Sequence, residues 1–401
     1  MRHPGIWLFA FPVVFLANCI SWAQAPKKFS IVVPNSSVQR AQDHGVRAHT
    51  NHLIRVEAKP ARPSGGGPSG ETPASIRAVY NLPSTGGSQT IAIVDAYDYA
   101  TAAKDLGVFS SQFGLPPMPD CNSNGNVAPC FRKFFASGSQ PQANCGWGQE
   151  AALDIEWAHA MAPNARIVLV EAATNSFADL FTGVDVATAE VTTGGGKGQV
   201  SLSWSGGEFS TESANDSHFQ NSNVVYFASS GDTGGVNGYP SVSPFVVSAG
   251  GTTINRNGSG TFTNETAWSG SGGGPSKYEP KPSYQSGVAN TDATHRSAPD
   301  FSFDANPNTG VSVYDSTRCQ GSVGWLVFGG TSVSSPSLAG IVNLAGHFAT
   351  STQSELTTIY ANRTNSGDFR DITSGSAGSF SAGPGYDFVT GVGSDQGLNG
   401  K

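Results

Sequence analysis

Ser332 stands in Gly329-Gly330-Thr331-Ser332-Val333-Ser334-Ser335-Pro336, and far upstream Glu150 and Asp154 lie four residues apart. A turn of small residues ahead of a serine leaves its hydroxyl exposed at a helix start, where free backbone N–H groups polarise whatever binds there. A nucleophile needs that placement, although a Ser-rich turn that merely caps a helix has the same composition. The spacing of Glu150 and Asp154 puts both on one helical face, one turn apart. Two like charges there oppose each other, so the pair is either a solvated acidic face or a pair that shares a proton in a cleft. In the second case Glu150 takes the proton of Ser332 and Asp154 orients Glu150, a base that works in acid where a histidine would not. Asp232 follows a strand-like run in Ser229-Ser230-Gly231-Asp232-Thr233. It is either an Asx-turn residue or, when protonated, a donor to the oxyanion formed as Ser332 attacks a carbonyl.

These side chains need elements to hold them. Gly148 to Ala162 reads as a helix with Ala151, Ile155, Ala158 and Met161 on one side, ended near Pro163. Continuous apolar runs predict buried strands at Thr90–Asp95, Arg166–Glu171, Gln199–Trp204 and Val224–Ser229, and residues 75–80 predict a short helix. Such strands separated by helical segments imply an α/β fold, a mostly parallel sheet with helices on both faces. Each run ends in polar or Gly-rich sequence, so the functional loops gather at the carboxyl edge of the sheet. No internal repeat and no second domain boundary is visible between residues 72 and 401.

Met1-Arg2-His3-Pro4-Gly5 is followed by an apolar run from Ile6 to Ile20 and the small-x-small pattern Ala23-Gln24-Ala25, a signal peptide over residues 1–25. The run is shorter than the ~20 residues that span a bilayer, so a secreted, extracellular protein with no membrane attachment after signal removal is expected. Residues 26–71, with Lys59-Pro60-Ala61-Arg62-Pro63-Ser64-Gly65-Gly66-Gly67-Pro68 near their end, read as a flexible linker or short pro-segment. Cys121, Cys130, Cys145 and Cys319 remain after cleavage. Cys121 with Cys130 and Cys145 with Cys319 is one of three possible pairings, and no Cys-x-x-Cys suggests a metal instead. With 13% charged residues, 50 glycines and net charge −7, the surface suits an acidic medium. The absence of a basic stripe argues against nucleic acid as a partner.

From about Thr72 onward the chain resembles the sedolisins, serine-carboxyl peptidases related in fold to subtilisins. The resemblance rests on Ile91-Ala92-Ile93-Val94-Asp95, Glu150-x-x-x-Asp154-Ile155-Glu156, Ser229-Ser230-Gly231-Asp232, Gly250-Gly251-Thr252-Thr253, Ser271-Gly272-Gly273-Gly274, Pro299-Asp300, Asp304 to Gly310 and Gly330-Thr331-Ser332-x-x-x-Pro336. It implies a subtilisin-like three-layer domain over residues 72–401, with Ser332 as nucleophile, Glu150 as base, Asp154 as its support and Asp232 at the oxyanion. It also implies one structural calcium ion, Ca2+, held by the carboxylates of Asp371 and Asp387 and the carbonyls of Ile372, Gly383 and Gly385. Oxygen ligands and glycines suit that cation. Protein or peptide substrates are expected to lie along Ser203, Trp204 and Ser271–Gly274, cut by a monomeric endopeptidase; tripeptidyl-peptidase action is the alternative.

One departure is the short stretch ahead of the catalytic region, where family members commonly carry a large folded pro-region. A Ser-His-Asp enzyme using Asp95 is the nearest chemical rival, but His159, His218 and His295 lack the setting of a triad histidine. A non-catalytic extracellular binding module is a rival of another class, set against four intact site residues.

Overall fold

The computed structural model describes residues 29–57, 67–123 and 125–401, with Met1 and Gly5. The expected signal peptide falls, but for those two residues, outside the described residues. Among the described residues no helix is long and apolar enough to cross a membrane.

Three strands come first: β1 (Phe29–Val32), β2 (His49–Thr50) and β3 (Leu53–Glu57). After α1 (Pro73–Tyr80) the chain alternates β4 (Thr90–Ala96), α2 (Ala102–Phe113), β5 (Cys130–Phe135), α3 (Cys145–Met161), β6 (Arg166–Ala172), α4 (Phe177–Thr192) and β7 (Gly198–Leu202). There follow β8 (Trp204–Gly207), β9 (Val224–Ser229), β10 (Gly238–Tyr239), β11 (Val247–Arg256), β12 (Phe262–Ala267), β13 (Gly274–Pro280), β14 (His295–Ala298) and β15 (Phe301–Asp304). The last elements used below are β16 (Val311–Cys319), β17 (Ser322–Gly329), α5 (Thr331–Ala345) and α6 (Thr352–Asn362).

The central sheet runs β15-β11-β9-β7-β4-β6-β5 with every one of these neighbours parallel. Alternate residues of a strand point to opposite faces, and β4 shows the result. Ile91 and Ile93 join a core with Ile155 of α3 and Val333 of α5, whereas Ala92 and Val94 join a second core with Leu180 and Val184 of α4. Each fully buried aliphatic side chain of this kind contributes roughly 1.5–3 kcal/mol. The sheet is thus the middle of three layers, the expected α/β architecture.

The predicted strands are all present, within two residues of the expected limits, except that Gln199–Trp204 divides into β7 and β8 at Ser203. The cysteines pair as Cys121–Cys130 and Cys145–Cys319, with Cα atoms 5.0 and 5.3 Å apart. Residues 29–57, expected within a flexible stretch, are built onto the body. Strand β3 lies between β1 and β17, antiparallel to both. Its neighbour β2 pairs antiparallel with β8, and the peptide that joins β2 to β3 crosses the site described next.

Candidate active site

Helix α3 is capped by the Asn144 side chain, which accepts from the amides of Gly146 and Trp147 at 3.1 and 3.3 Å. Its amphipathic reading needs correction in one respect: every residue from Gly146 to Met161 is buried. A helix buried on every face sits inside the protein, here packed against α5, β16 and the sheet. A solvated acidic face is therefore excluded for Glu150 and Asp154, both 0% exposed.

Helix α5 brings Ser332 to them. Gly330 caps it with φ 98°, a backbone conformation that glycine adopts freely. A Cβ at this position would stand 2.3 Å from the Asn51 carbonyl oxygen and 2.4 Å from Asp232 Oδ2, so the spacing tolerates no side chain. Four residues beyond the serine, Pro336 has no N–H to give the Ser332 carbonyl. The Ser203 hydroxyl lies 3.4 Å from that carbonyl and 2.8 Å from Asp154 Oδ1. Ser203 thus links the base helix to the nucleophile helix, and its own carbonyl accepts from Ser332 Oγ at 3.3 Å.

Asp232 follows β9 in a loop held by Thr331. The Thr331 amide and hydroxyl donate to Asp232 Oδ1 at 2.7 and 2.9 Å, while the same hydroxyl accepts from the Gly231 amide at 3.0 Å. Asp232 Oδ2 is buried with no hydrogen-bond partner.

The carboxyls are crowded and dry. Burial drives Glu150, Asp154 and Asp95 well above the ordinary carboxylic range, and Asp95 and Glu150 raise Asp154 further by charge repulsion. For Glu150, Ser332 and the Asn51 backbone act in the opposite direction. Burial pushes Asp232 up to about 8, against the two Thr331 hydrogen bonds. Both oxygens of Asp95, Glu150 Oε1 and Asp154 Oδ2 also lack hydrogen-bond partners. Unpaired buried carboxylates are costly, and protonation relieves the cost. The cluster therefore holds its protons to higher pH than exposed carboxyls do.

The expectations for Ser332, Glu150, Asp154 and Asp232 thus converge on one buried site at the carboxyl edge of the sheet. Asp95, weighed in the sequence only for a Ser-His-Asp arrangement, lies beside the pair on α3. Trp204 contributes backbone to the groove through β8, while its indole is buried and donates to the Val94 carbonyl at 2.9 Å. Ser271 is turned into the loops behind the site, accepting from the Gly251 amide and donating to the Val389 carbonyl.

Sequence reasoning missed Asn51 and His52. The Asn51 carbonyl accepts from the Ser332 amide at 3.0 Å, and the Asn51 amide donates to the Ser203 carbonyl at 3.2 Å. His52 Nδ1 lies 2.8 Å from Glu150 Oε2, its ring stacked on Phe328. Burial lowers the His52 pKa to about 3, so the ring is neutral above that. The alternating Leu53-Ile54-Arg55-Val56-Glu57 was the available signal, a strand that had to dock somewhere.

At the expected calcium loop, Asp371 and Asp387 converge on one turn. Asp371 Oδ2 accepts from the Gly385 amide at 3.0 Å and Asp387 Oδ2 from the Gly383 amide at 3.2 Å. Oxygen donors and glycines fit a hard cation. Among the described residues no three acidic, histidine or cysteine side chains gather around one point, so the loop carbonyls would have to supply the remaining ligands.

The fold defines a class, the subtilisin-like α/β proteins, here with a serine set among buried carboxyls. No family model matches the chain. Over 205 residues it is 33% identical to sedolisin of Pseudomonas sp. (strain 101), covering 47% of this chain and 33% of that protein. Over 397 residues it is 29% identical to kumamolisin of Bacillus sp. (strain MN-32), covering 88% of this chain and 67% of that one. The solved Pseudomonas sedolisin, a serine-carboxyl proteinase complexed with two molecules of pseudo-iodotyrostatin, matches with TM-score 0.65 at 25% identity, over 82% of this chain and 96% of that one. A psychrophilic protease, S41, shares the fold with TM-score 0.51 at 15% identity, over 82% and 99%. These alignments make the chain similar to the sedolisins, over 47% and 88% of its length respectively. Its matched stretch spans about a third of the Pseudomonas sedolisin and two thirds of kumamolisin.

Proposed function

We propose that the chain is a secreted, acid-active serine-carboxyl endopeptidase that hydrolyses peptide bonds of proteins through an acyl-enzyme on Ser332. The observation that carries this is the pair on α3, Glu150 and Asp154, buried and disposed to hold protons beside a serine whose amide already binds a peptide carbonyl. Ser332 Oγ attacks the carbonyl carbon and gives its proton to Glu150, supported by Asp154. Negative charge develops on the carbonyl oxygen, met by the Ser332 amide and by protonated Asp232. Glu150 returns the proton to the leaving amine, and water then releases the acyl group by the reverse path. Asp232 donates only while protonated, so this part of the machinery is lost as pH rises through about 8.

Endopeptidase action is favoured over tripeptidyl-peptidase action because chain continues along the groove on both sides of Asn51, through β2 on one side and β3 on the other. A groove closed three residues from Ser332 would not admit it. Under this reading residues 1–25 are a signal peptide, 26–71 a pro-segment and 72–401 the peptidase domain. Calcium, held by Asp371, Asp387 and the carbonyls of Ile372, Gly383 and Gly385, would tie the C-terminal loops together and supply charge neutralisation only.

The test is digestion of a denatured protein between about pH 3 and pH 8, the span from carboxyl to beyond histidine titration, with Ser332→Ala alongside. Acid-limited digestion that is absent in the variant is the expected result. A folded protein that digests nothing across the range would overturn the reading.

A further inference from the structure

Residues 48–51 give the register in which a peptide lies along the amino side of the groove. The Asn51 carbonyl on the Ser332 amide marks the acyl position, so Thr50, His49 and Ala48 stand second, third and fourth from the reacting carbonyl. His49 and Thr50 pair with Ser205 and Trp204 of β8, main-chain contacts that suit any sequence. Ala48, just before that strand, meets Asn175 in the loop between β6 and α4. The Ala48 amide donates to the Asn175 carbonyl at 2.9 Å, and Asn175 Nδ2 donates to the Ala48 carbonyl at 2.7 Å. One residue thus takes both main-chain polar groups of the fourth position.

The clamp is itself held. Tyr97, which follows β4, has φ 68°, a left-handed conformation that costs a bulky residue energy and persists where the surroundings impose it. Its hydroxyl donates to Asn175 Oδ1 at 3.0 Å, which leaves Nδ2 turned toward the peptide. Beside Ala48 and His49 lies a cavity of about 430 Å3, walled on the side of the body by Tyr97, Trp147, Gln320 and the Cys145–Cys319 disulfide. The Tyr97 and Trp147 ring centroids stand 6.3 Å apart with their planes at 60°. The charged residues that line the cavity, Arg40, Asp43 and Arg47, belong to the same N-terminal segment as Ala48, and the body contributes none. The Ala48 methyl is small against this volume. A large apolar side chain set between two aromatic rings gains more from burial than a methyl does.

We propose that the groove has a fourth subsite on the acyl side, in which Asn175, oriented by Tyr97, binds the main chain of the fourth residue and the Tyr97–Trp147 cavity takes a large uncharged side chain, aromatic ones first. The inference rests on the peptidase reading above and names its substrate class, peptides that continue at least four residues upstream of the cut bond. A substrate that releases a tripeptide has no residue to place there, so the subsite also separates endopeptidase from tripeptidyl-peptidase action. Asn175 binds substrate away from the reacting atoms, and Tyr97 acts partly through it as a positioning residue.

The experiment starts from a bond that the full chain cuts in a denatured protein at about pH 4, within the range where carboxyls titrate. That bond is copied into two peptides, with three and five residues on its acyl side. The ratio of their kcat/KM values is the readout, because the share of molecules with an open groove cancels in it. For the parent, the five-residue peptide is expected to be favoured by at least about tenfold, the worth of two net hydrogen bonds. Asn175→Ala, checked for folding by circular dichroism, is expected to lower that ratio by about fivefold, the worth of one. Phenylalanine in place of alanine at the fourth position is expected to raise kcat/KM by about tenfold, and glutamate to bring no gain. Tyr97→Gly keeps the left-handed backbone available and is expected to abolish the phenylalanine gain, whereas Tyr97→Phe retains it and lowers only the length ratio. Equal cleavage of the two peptides, or a ratio that Asn175→Ala leaves unchanged, would overturn the clamp with the peptidase reading intact. Indifference to phenylalanine would overturn the cavity in the same way. A folded chain that cuts no bond in the denatured protein would sink the peptidase reading, and the subsite with it.

Discussion

A carboxylate serves a serine as base only where its proton affinity has been raised, and at Glu150 burial supplies that change while Asp154 and Asp95 share the remaining charge. The variants separate these roles. In the proposed mechanism Ser332→Ala and Glu150→Gln each remove a group that takes part in bond or proton transfer, and kcat is expected to fall by at least about a thousandfold in both, as for members of a catalytic unit. Asp232→Ala removes one oxyanion donor and is expected to lower kcat by roughly 10²–10³. Asp232→Asn keeps a neutral donor, so it is expected to lose less activity than Asp232→Ala and to lose the fall in rate as pH passes about 8. A pH profile of kcat identical to the parent's in Asp232→Asn would remove Asp232 from that role. These four residues were legible in the sequence because each sits in a short motif whose spacing has a chemical meaning. Asn51 and His52 were not, because their role arises from pairing with residues about 100 to 280 positions away, Glu150, Ser203 and Ser332 among them.

At the level of elements, β4, β6, β7 and β9 were readable because a strand buried on both faces is apolar throughout. Helix α3 was readable in extent but not in environment: periodic apolar residues suggested one dry side, whereas neighbouring elements bury the charged side as well. Strands β1 to β3 escaped notice because their tails run into a Pro/Gly-rich stretch that dominates the composition. The two disulfides offer a test of how these elements are tied. Cys145–Cys319 joins the start of α3 to the end of β16 across 174 residues, while Cys121–Cys130 closes 9. Loop entropy makes the longer closure worth about 2–3 kcal/mol more to stability. Cys145→Ala/Cys319→Ala is thus expected to shift the denaturant midpoint further than Cys121→Ala/Cys130→Ala; equal shifts would contradict the entropic account. For the C-terminal loops, removal of calcium by a chelator is expected to lower Tm in the parent and to leave Asp371→Asn unaffected, as follows for an ion bound only by the folded state. An identical response in both proteins would place the ion elsewhere or nowhere.

Over the whole molecule, buried acids set the response to pH. Besides the site carboxyls, burial raises Glu171 to about 7, Asp315 to about 6, Glu355 to about 7, and Glu212 and Glu279 to about 8. Each binds its proton more tightly folded than unfolded, so between the ordinary carboxyl range and these values the folded state holds more protons. Stability then falls as pH rises. Burial lowers His52 to about 3 and His159 to about 4, and these two oppose the trend between those values and the ordinary histidine pKa. The acids outnumber them, so Tm is expected to be higher near pH 5 than near pH 8, with the loss continuing above the point where histidine is neutral. A Tm that rises through that interval would show that the buried carboxyls are paired in ways their surroundings do not reveal.

The passage of residues 49–57 through the groove has a kinetic meaning as well. A peptide tethered at both ends to its own enzyme competes at an effective concentration on the order of millimolar for a short flexible tether, whatever the dilution of the protein. Foreign peptides must outcompete that local supply, so shielding of the cleft does not weaken on dilution. Only displacement of the tethered strand opens the groove, and that event follows first-order kinetics, a clock carried by each molecule alone.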